Sequence, residues 1–479
     1  MLFNSPLYLI FLLLTVILYW ALPLRLRVPM LLAASLIFYM NWSPPHGFIY
    51  GPMLFLDAGV IYGLSILMTR YRDFQKSLLI IGVTAQILLL GVFKYANFFT
   101  DFGNWLLHII HPAATLAPSH FNIFLPLAIS FTTFVLISYL IDVYREKETP
   151  DPSFIRFATY VFFFPHLIAG PIVRASELLR QCDNPPPFKT ACFADGIHRF
   201  CTGFFLKVFI ADIIAPYVDL IFSHPHYQGF NTAWVAVYAF SIQLFCDFFG
   251  YTLMAQGSAQ LMGFTLPENF NAPYFAKNMS EYWARWHMTL SRWLRDYLYI
   301  PLGGNRNGTF NTYRNMFITM GLGGLWHGAN WTFVAWGLLN AVFLSVQKMA
   351  DELKISRFIP TALALFITWH AICLTRVFFR AENFAIAWSM LEAMANPFHW
   401  VTLPHAEGSV EQAATLNTET ALAMVLLFLI AHALIRYVRP RIQIPLLKEA
   451  GIVVAYSIFM YCVCTLGGQA GQQFIYFQF

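Results

Sequence analysis

Apolar runs of about 20 residues, each long enough to cross the hydrocarbon core of a bilayer, recur in this chain from its first residues to its last. A water-facing surface needs about 25% charged residues, and here only 11% are charged while 58% are hydrophobic and 18% aromatic. The chain therefore reads as an all-α, polytopic membrane protein with no room for a separate soluble catalytic domain. Its first run, Leu7 to Leu22, has no basic leader and no Ala-x-Ala site, and Arg25 and Arg27 follow it, so a retained span is expected rather than a cleaved signal.

The net charge of +5 says less than where the charges fall. Basic residues near span ends report the cytoplasmic side. They cluster at Arg25/Arg27, Arg70/Arg72/Lys76 and Arg145/Lys147, each cluster separated from the next by two apolar runs, which gives five spans over residues 1–145. On that reading the N-terminus and the loops at Ser43 to His46 and Thr100 to His120 lie outside. The same beat returns at Lys348/Lys354/Arg357 and Arg436/Arg439/Arg441/Lys448, around a connection from Asn396 to Asn417 without basic side chains other than histidine, and the C-terminus emerges outside. Nucleic acid is not implied.

Residues 146–330 break the pattern. Pieces such as Phe157 to Phe164 are too short to span and are cut by Pro165, Pro171 and Pro185 to Pro187. Irregular backbone at membrane depth survives only where protein covers it or water fills a cavity, so re-entrant or buried helices lining a tunnel are expected here. Within this part Met279 to Trp331 gathers Arg285, Arg292, Arg295, Asp296, Arg306 and Arg314 together with two histidines, His287 and His327. Polar groups inside a membrane protein need a reason, and a histidine, titrating near neutrality, can take a proton from a hydroxyl and return it. Glycines around His327 would let a substrate approach the backbone. From local pattern alone, a histidine bonded to backbone competes evenly with that role, and His287 reads by default as a charge-pairing or stacking residue. Gly303-Gly-Asn-Arg-Asn-Gly lacks the lysine of a phosphate-binding loop and reads as a tight turn. Seven cysteines show no Cys-x-x-Cys pair, and two histidines do not make a zinc site, so no metal is expected.

Phe93-Lys-Tyr-Ala-Asn-Phe, Leu125-Pro-Leu-Ala-Ile-Ser-Phe, Tyr139-Leu-Ile-Asp-Val-Tyr-Arg, Phe164-Pro-His-Leu-Ile-Ala-Gly-Pro-Ile-Val-Arg and the Met279 to Trp331 block resemble bacterial membrane-bound O-acyltransferases. The similar branch is the one that O-acetylates alginate and peptidoglycan, and the resemblance covers nearly the whole chain. It implies one membrane domain of about 11 spans pierced by a tunnel: five N-terminal spans in 1–145, a catalytic core in 146–330, further spans in 331–466 and an aromatic tail in 467–479. It also implies His327 as catalytic base with His287 supporting it, acetyl-CoA as donor substrate with no resident cofactor, an extracytoplasmic acetyltransferase partner, a polysaccharide acceptor and a place in the bacterial inner membrane. Where alginate-type relatives commonly read Asp-Phe-Ser-Gly-Tyr-Ser-Asp, this chain reads Asp247-Phe-Phe-Gly-Tyr-Thr-Leu253, which puts the identity of the polysaccharide in doubt.

Donor and polymer lie on opposite faces, so something must carry the acyl group between them. The stretch from Gly467 to Tyr476 extends up to about 33 Å, more than the roughly 15 Å half-thickness of the core. Tyr476 in Phe474-Ile-Tyr-Phe-Gln-Phe resembles the terminal tyrosine of D-alanylation systems and is the candidate carrier; an interfacial aromatic anchor is the plainer role. Two other readings stand beside O-acetylation: a D-alanyl-type transferase fed by an acyl carrier protein, and a transporter. No internal repeat of the kind transporters usually carry is visible.

Overall fold

The computed structural model describes residues 2–43, 45–111, 121–168, 170–306, 308–403, 417–437 and 475. These residues form helices and turns, with no strand among them. Five of the helices are long and apolar enough to cross a membrane: His46–Arg70, Arg72–Ile110, Phe230–Leu261, Trp331–Glu352 and Thr361–Arg380. The protein is a helical, multi-pass membrane protein, and it divides into two compact units: residues 1–200 with 254–267, and residues 201–253 with 268–479.

The first unit opens with Pro6–Ala21, whose start is set by Ser5 accepting from the Tyr8 amide and by proline in the first turn. One face of this helix buries Tyr8, Leu12, Val16 and Tyr19, while Leu7, Ile10, Leu13, Leu14 and Ile17 on the other are each more than half exposed. A stripe of bare aliphatic side chains at helical spacing is a lipid-facing surface. Leu24–Met40 and His46–Arg70 follow, then a rod from Arg72 to Ile110 interrupted by a π-helical turn at Gly91–Tyr95, then Ile129–Tyr144. The rod corrects one expectation: Thr100 to Ile110 is helix, not loop, because its apolar run continues through Trp105, Leu106, Ile109 and Ile110.

The short apolar pieces after residue 148 are Phe154–Phe162, Phe164–Leu167 and Ala175–Asp183. Ser153 caps the first, and Phe163 ends it where Pro165 is about to remove a donor. Phe157 to Phe164 are all buried, so the end of the first of these helices and the start of the second face protein on every side.

The second unit holds most of a helix that the sequence reading did not anticipate. Phe230–Leu261 runs for 32 residues inside the part expected to hold only short or re-entrant pieces. Ser241, Gln243, Asp247 and Thr252 are buried along it, and these polar residues dilute the apolar signal of a helix that packs against protein rather than lipid. Further on, Gly308–His327 and Trp331–Glu352 form a tight helical hairpin. A Cβ on Gly324 or Gly337 would run into the backbone of the facing helix, so these glycines serve close helix packing and their open sides are already taken. That replaces the expectation that glycines near His327 leave room for substrate.

Candidate acyl-transfer site

His287 sits in the turn between Met279–Arg285 and Met288–Leu294, with φ at 42° in the left-handed region. A non-glycine residue held there stores roughly 1–3 kcal/mol of strain, a state that persists only where the surroundings enforce it. The Met288 amide donates to the Asn269 carbonyl at 2.9 Å, and the Asn269 side chain reaches back into the turn. Asn269 Oδ1 lies 3.0 Å from His287 Nδ1, 3.3 Å from the Thr289 amide nitrogen and 3.0 Å from Thr289 Oγ1.

Those three contacts assign the histidine's tautomer. A backbone amide can only donate, so the Asn269 atom facing Thr289 is the oxygen, and the His287 nitrogen facing the same atom carries the proton. Nε2 is therefore the bare, proton-accepting nitrogen. It is buried with no hydrogen-bond partner among the described residues, and complete burial holds the imidazole far below its usual value, at about 3, so it stays neutral.

His327 is the last residue of Gly308–His327, where the negative end of the helix favours a cation. Its ring is packed by Trp336 at 5.0 Å and Phe379 at 5.4 Å, from the two following long helices, and is 4% exposed. Asn330 fixes the turn beyond it, capping Trp331–Glu352 through the Thr332 amide while donating to the Glu382 carbonyl at 2.8 Å. The two histidines flank one indole: Trp326 is 5.0 Å from His327 and 6.3 Å from His287. Phe248 meets His287 edge-on at 4.7 Å.

The arginines that marked this stretch in the sequence do not converge on the histidines. Arg285 pairs with Glu281, Arg295 with Asp296, and Arg306 and Arg314 are exposed beside the turn at Gly303 and Gly304. The buried arginine belongs to another helix. Arg376, 1% exposed, donates from Nη2 to the Tyr282 hydroxyl at 2.6 Å and lies 4.4 Å over Trp286 and 5.6 Å from Phe379. A cation placed a full turn inside the apolar run Thr361–Arg380, ahead of the arginine that ends it, is the signal that could have found it; nothing in the sequence singles out Asn269.

Tyr476 lies outside the described residues. Its neighbour Ile475 does not: the Ile475 amide donates to Asp247 Oδ2 at 2.9 Å in a buried contact. Asp247 is also ion-paired with Lys207, which reaches Asp212 as well. Among the described residues no three His, Cys, Asp or Glu side chains gather to hold a metal.

Two buried histidines around one tryptophan in a multi-pass helical protein leave the class open, and sequence comparison makes it definite. The model of the membrane-bound O-acyltransferase family matches residues 145–388. The chain is 41% identical to the probable alginate O-acetylase of Pseudomonas aeruginosa over 78% of its own length and 71% of the relative's. It is 36% identical to the probable alginate O-acetylase of Azotobacter vinelandii over 100% of both chains, and 37% identical to the peptidoglycan O-acetyltransferase of Helicobacter pylori over 85% and 81%. The protein belongs to the membrane-bound O-acyltransferase family and is an acyltransferase.

Proposed function

We propose that the protein takes acetyl groups from cytoplasmic acetyl-CoA and passes them across the bacterial inner membrane for O-acetylation of an extracytoplasmic polysaccharide of the alginate or peptidoglycan type. The observation that carries this reading is the pair of buried histidines flanking Trp326, inside the segment that matches the family. The named activities of the relatives supply acetyl as the acyl group and a polysaccharide as the destination.

In this reading His327 is the base. An acceptor hydroxyl gives its proton to the imidazole as its oxygen bonds to the acetyl carbonyl carbon, and the carbonyl π pair moves onto oxygen. Collapse restores the C=O bond, breaks the C–S bond and returns the proton from the imidazolium to the departing thiolate. His287, with Nε2 bare and Nδ1 protonated, is the supporting histidine, a second proton acceptor at the site. The first acceptor is the Tyr476 phenol, and the acetyl ester formed there is handed to a separate extracytoplasmic acetyltransferase that modifies the polymer. The buried hydrogen bond from the Ile475 amide to Asp247 supports a docked position for the end of the chain.

Purified protein incubated with acetyl-CoA should release free CoA and yield an acetylated C-terminal peptide by mass spectrometry. Tyr476→Phe keeps the ring and removes only the hydroxyl, and polymer acetylation in that strain should disappear. Normal acetylation by Tyr476→Phe would leave the tail as an anchor, and turnover of a D-alanyl carrier protein in place of acetyl-CoA would replace the donor.

A further inference from the structure

Arg376 presents a physical problem that the mechanism so far does not use. Its side chain is among the largest fully buried ones, at 1% exposure. An isolated buried charge costs several kcal/mol unless a counter-ion or a full set of hydrogen bonds offsets it. Among the described residues Arg376 has no ion pair; its one hydrogen bond goes to Tyr282, and its Nε is buried without a partner. The rings of Trp286 and Phe379 offset part of the charge.

The neighbouring groups left open are of the same kind. Trp336 Nε1 and Trp283 Nε1 are also buried without partners, and both are donors. The two indoles are 5.8 Å apart, and Trp336 is 5.0 Å from His327. Phe379 links the sets, 5.6 Å from the Arg376 guanidinium and 5.4 Å from the His327 ring. Beside the base there are thus, among the described residues, a buried cation whose Nε has no acceptor and two indole N–H groups without one. A site of unfilled donors with no carboxylate suits an oxygen that gains negative charge only during reaction.

We infer that Arg376 is a catalytic residue of this acyl transfer, donating to the acyl carbonyl oxygen as that oxygen takes the π pair, with Tyr282 holding the guanidinium in place. The inference rests on the proposed function above. The bond that forms is from acceptor oxygen to carbonyl carbon, the proton goes to His327, and Arg376 keeps all its protons throughout. Because the guanidinium waits without a counter-ion, it is worth most when the oxyanion is present. That is differential binding of the transition state.

The test uses the full chain in detergent, acetyl-CoA as donor and CoA release as readout. Arg376→Gln should lower kcat by about 10²–10³-fold, as loss of an oxyanion donor does, with the KM for acetyl-CoA changed less than about threefold because ground-state binding is spared. Arg376→Lys, which keeps the charge and loses the fork, should fall between the two. Tyr282→Phe should lower kcat by roughly tenfold, the worth of one hydrogen bond. The melting temperature of Arg376→Gln should not drop, since an unpaired charge has left the interior. An Arg376→Gln protein that turns over at the wild-type rate, or that unfolds, overturns the inference and leaves the acetyltransferase reading standing. Wild-type protein that releases no CoA from acetyl-CoA overturns both.

Discussion

Two cations are buried to the same degree in the second compact unit and are treated in opposite ways. Lys207 and Arg376 are each 1% exposed. Lys207 has two carboxylates, Asp212 and Asp247, each with an oxygen 2.6 Å from Nζ, and the Tyr251 ring at 5.8 Å. Arg376 has a phenol and two aromatic rings. A buried charge with its counter-ions in place is scaffold: the charge is already neutralised where it stands. A buried charge without one is held ready for a group that arrives later. What Lys207 holds is also scaffold of a particular kind, since the carboxylate it pairs with receives the Ile475 amide.

If that contrast is right, substitutions on the open side should change rate and leave stability alone, and those on the saturated side should do the reverse. His327→Ala is the largest expected rate effect. Loss of a positioned base lowers transfer by about 10²–10⁴-fold, and the variant should still elute from size exclusion as folded protein, because His327 is one ring in a packed cluster with Trp336 and Phe379. Polysaccharide acetylation at the wild-type level in a His327→Ala strain would remove the histidine from the mechanism.

Lys207→Met belongs to the other side. Removing the cation leaves Asp212 and Asp247 buried with no positive partner, and breaking such a pair destabilises by about 3–5 kcal/mol. The expected result is a large drop in the detergent melting temperature and in the yield of folded protein, with activity per folded molecule much less affected. A Lys207→Met protein that is stable and inactive would place Lys207 on the catalytic side and break the contrast.

How much of this the sequence discloses depends on where the physical signal lies. Spans that face lipid are legible because lipid demands an unbroken apolar run, as in His46–Arg70 and Thr361–Arg380. Phe230–Leu261 is not, because a helix sheathed in protein can carry Gln243, Asp247 and Thr252. His287 and His327 stand out through the motif that contains them, yet the density of arginine around them misleads: Arg285 and Arg295 are neutralised by acids four and one residues away. Arg376, buried a turn before the arginine that ends its helix, has no acid beside it among the described residues. Asn269 acts on His287 through a turn whose left-handed residue no propensity anticipates.

Ile475→Pro sharpens the contrast at its join with the tail. Proline removes the backbone donor while leaving Lys207 and Asp247 paired, so the scaffold should persist. A hydrogen bond to a charged acceptor is worth about 1.5–3 kcal/mol, and its loss should appear as release of the tail: faster proteolytic trimming of the C-terminus and lower polymer acetylation, with the melting temperature nearly unchanged. Unchanged trimming would show that Asp247 does not hold the tail.

The smallest expected effect lies at Asn269, and there pH separates two explanations of what it does. With Asn269 in place, His287 Nδ1 carries the proton, Nε2 is bare, and burial keeps the ring neutral well below physiological pH. Asn269→Ala removes the acceptor that fixes this tautomer, so a fraction of the rings should carry the proton on Nε2 and cease to accept one. A loss of roughly tenfold is expected, the worth of one hydrogen bond, and it should be the same across the neutral and mildly acidic range because no charge has been introduced. Asn269→Asp keeps an oxygen for Nδ1–H and for the Thr289 amide but adds a negative charge beside the ring. An adjacent carboxylate favours the imidazolium and raises the histidine's pKa. Protonated His287 has no bare nitrogen, so the ratio of this variant's activity to that of the wild type should be close to one at high pH and should fall as pH drops through the raised value. Identical pH profiles for wild type and Asn269→Asp, measured as kcat for CoA release, would mean that the Nε2 lone pair of His287 is not used in the reaction.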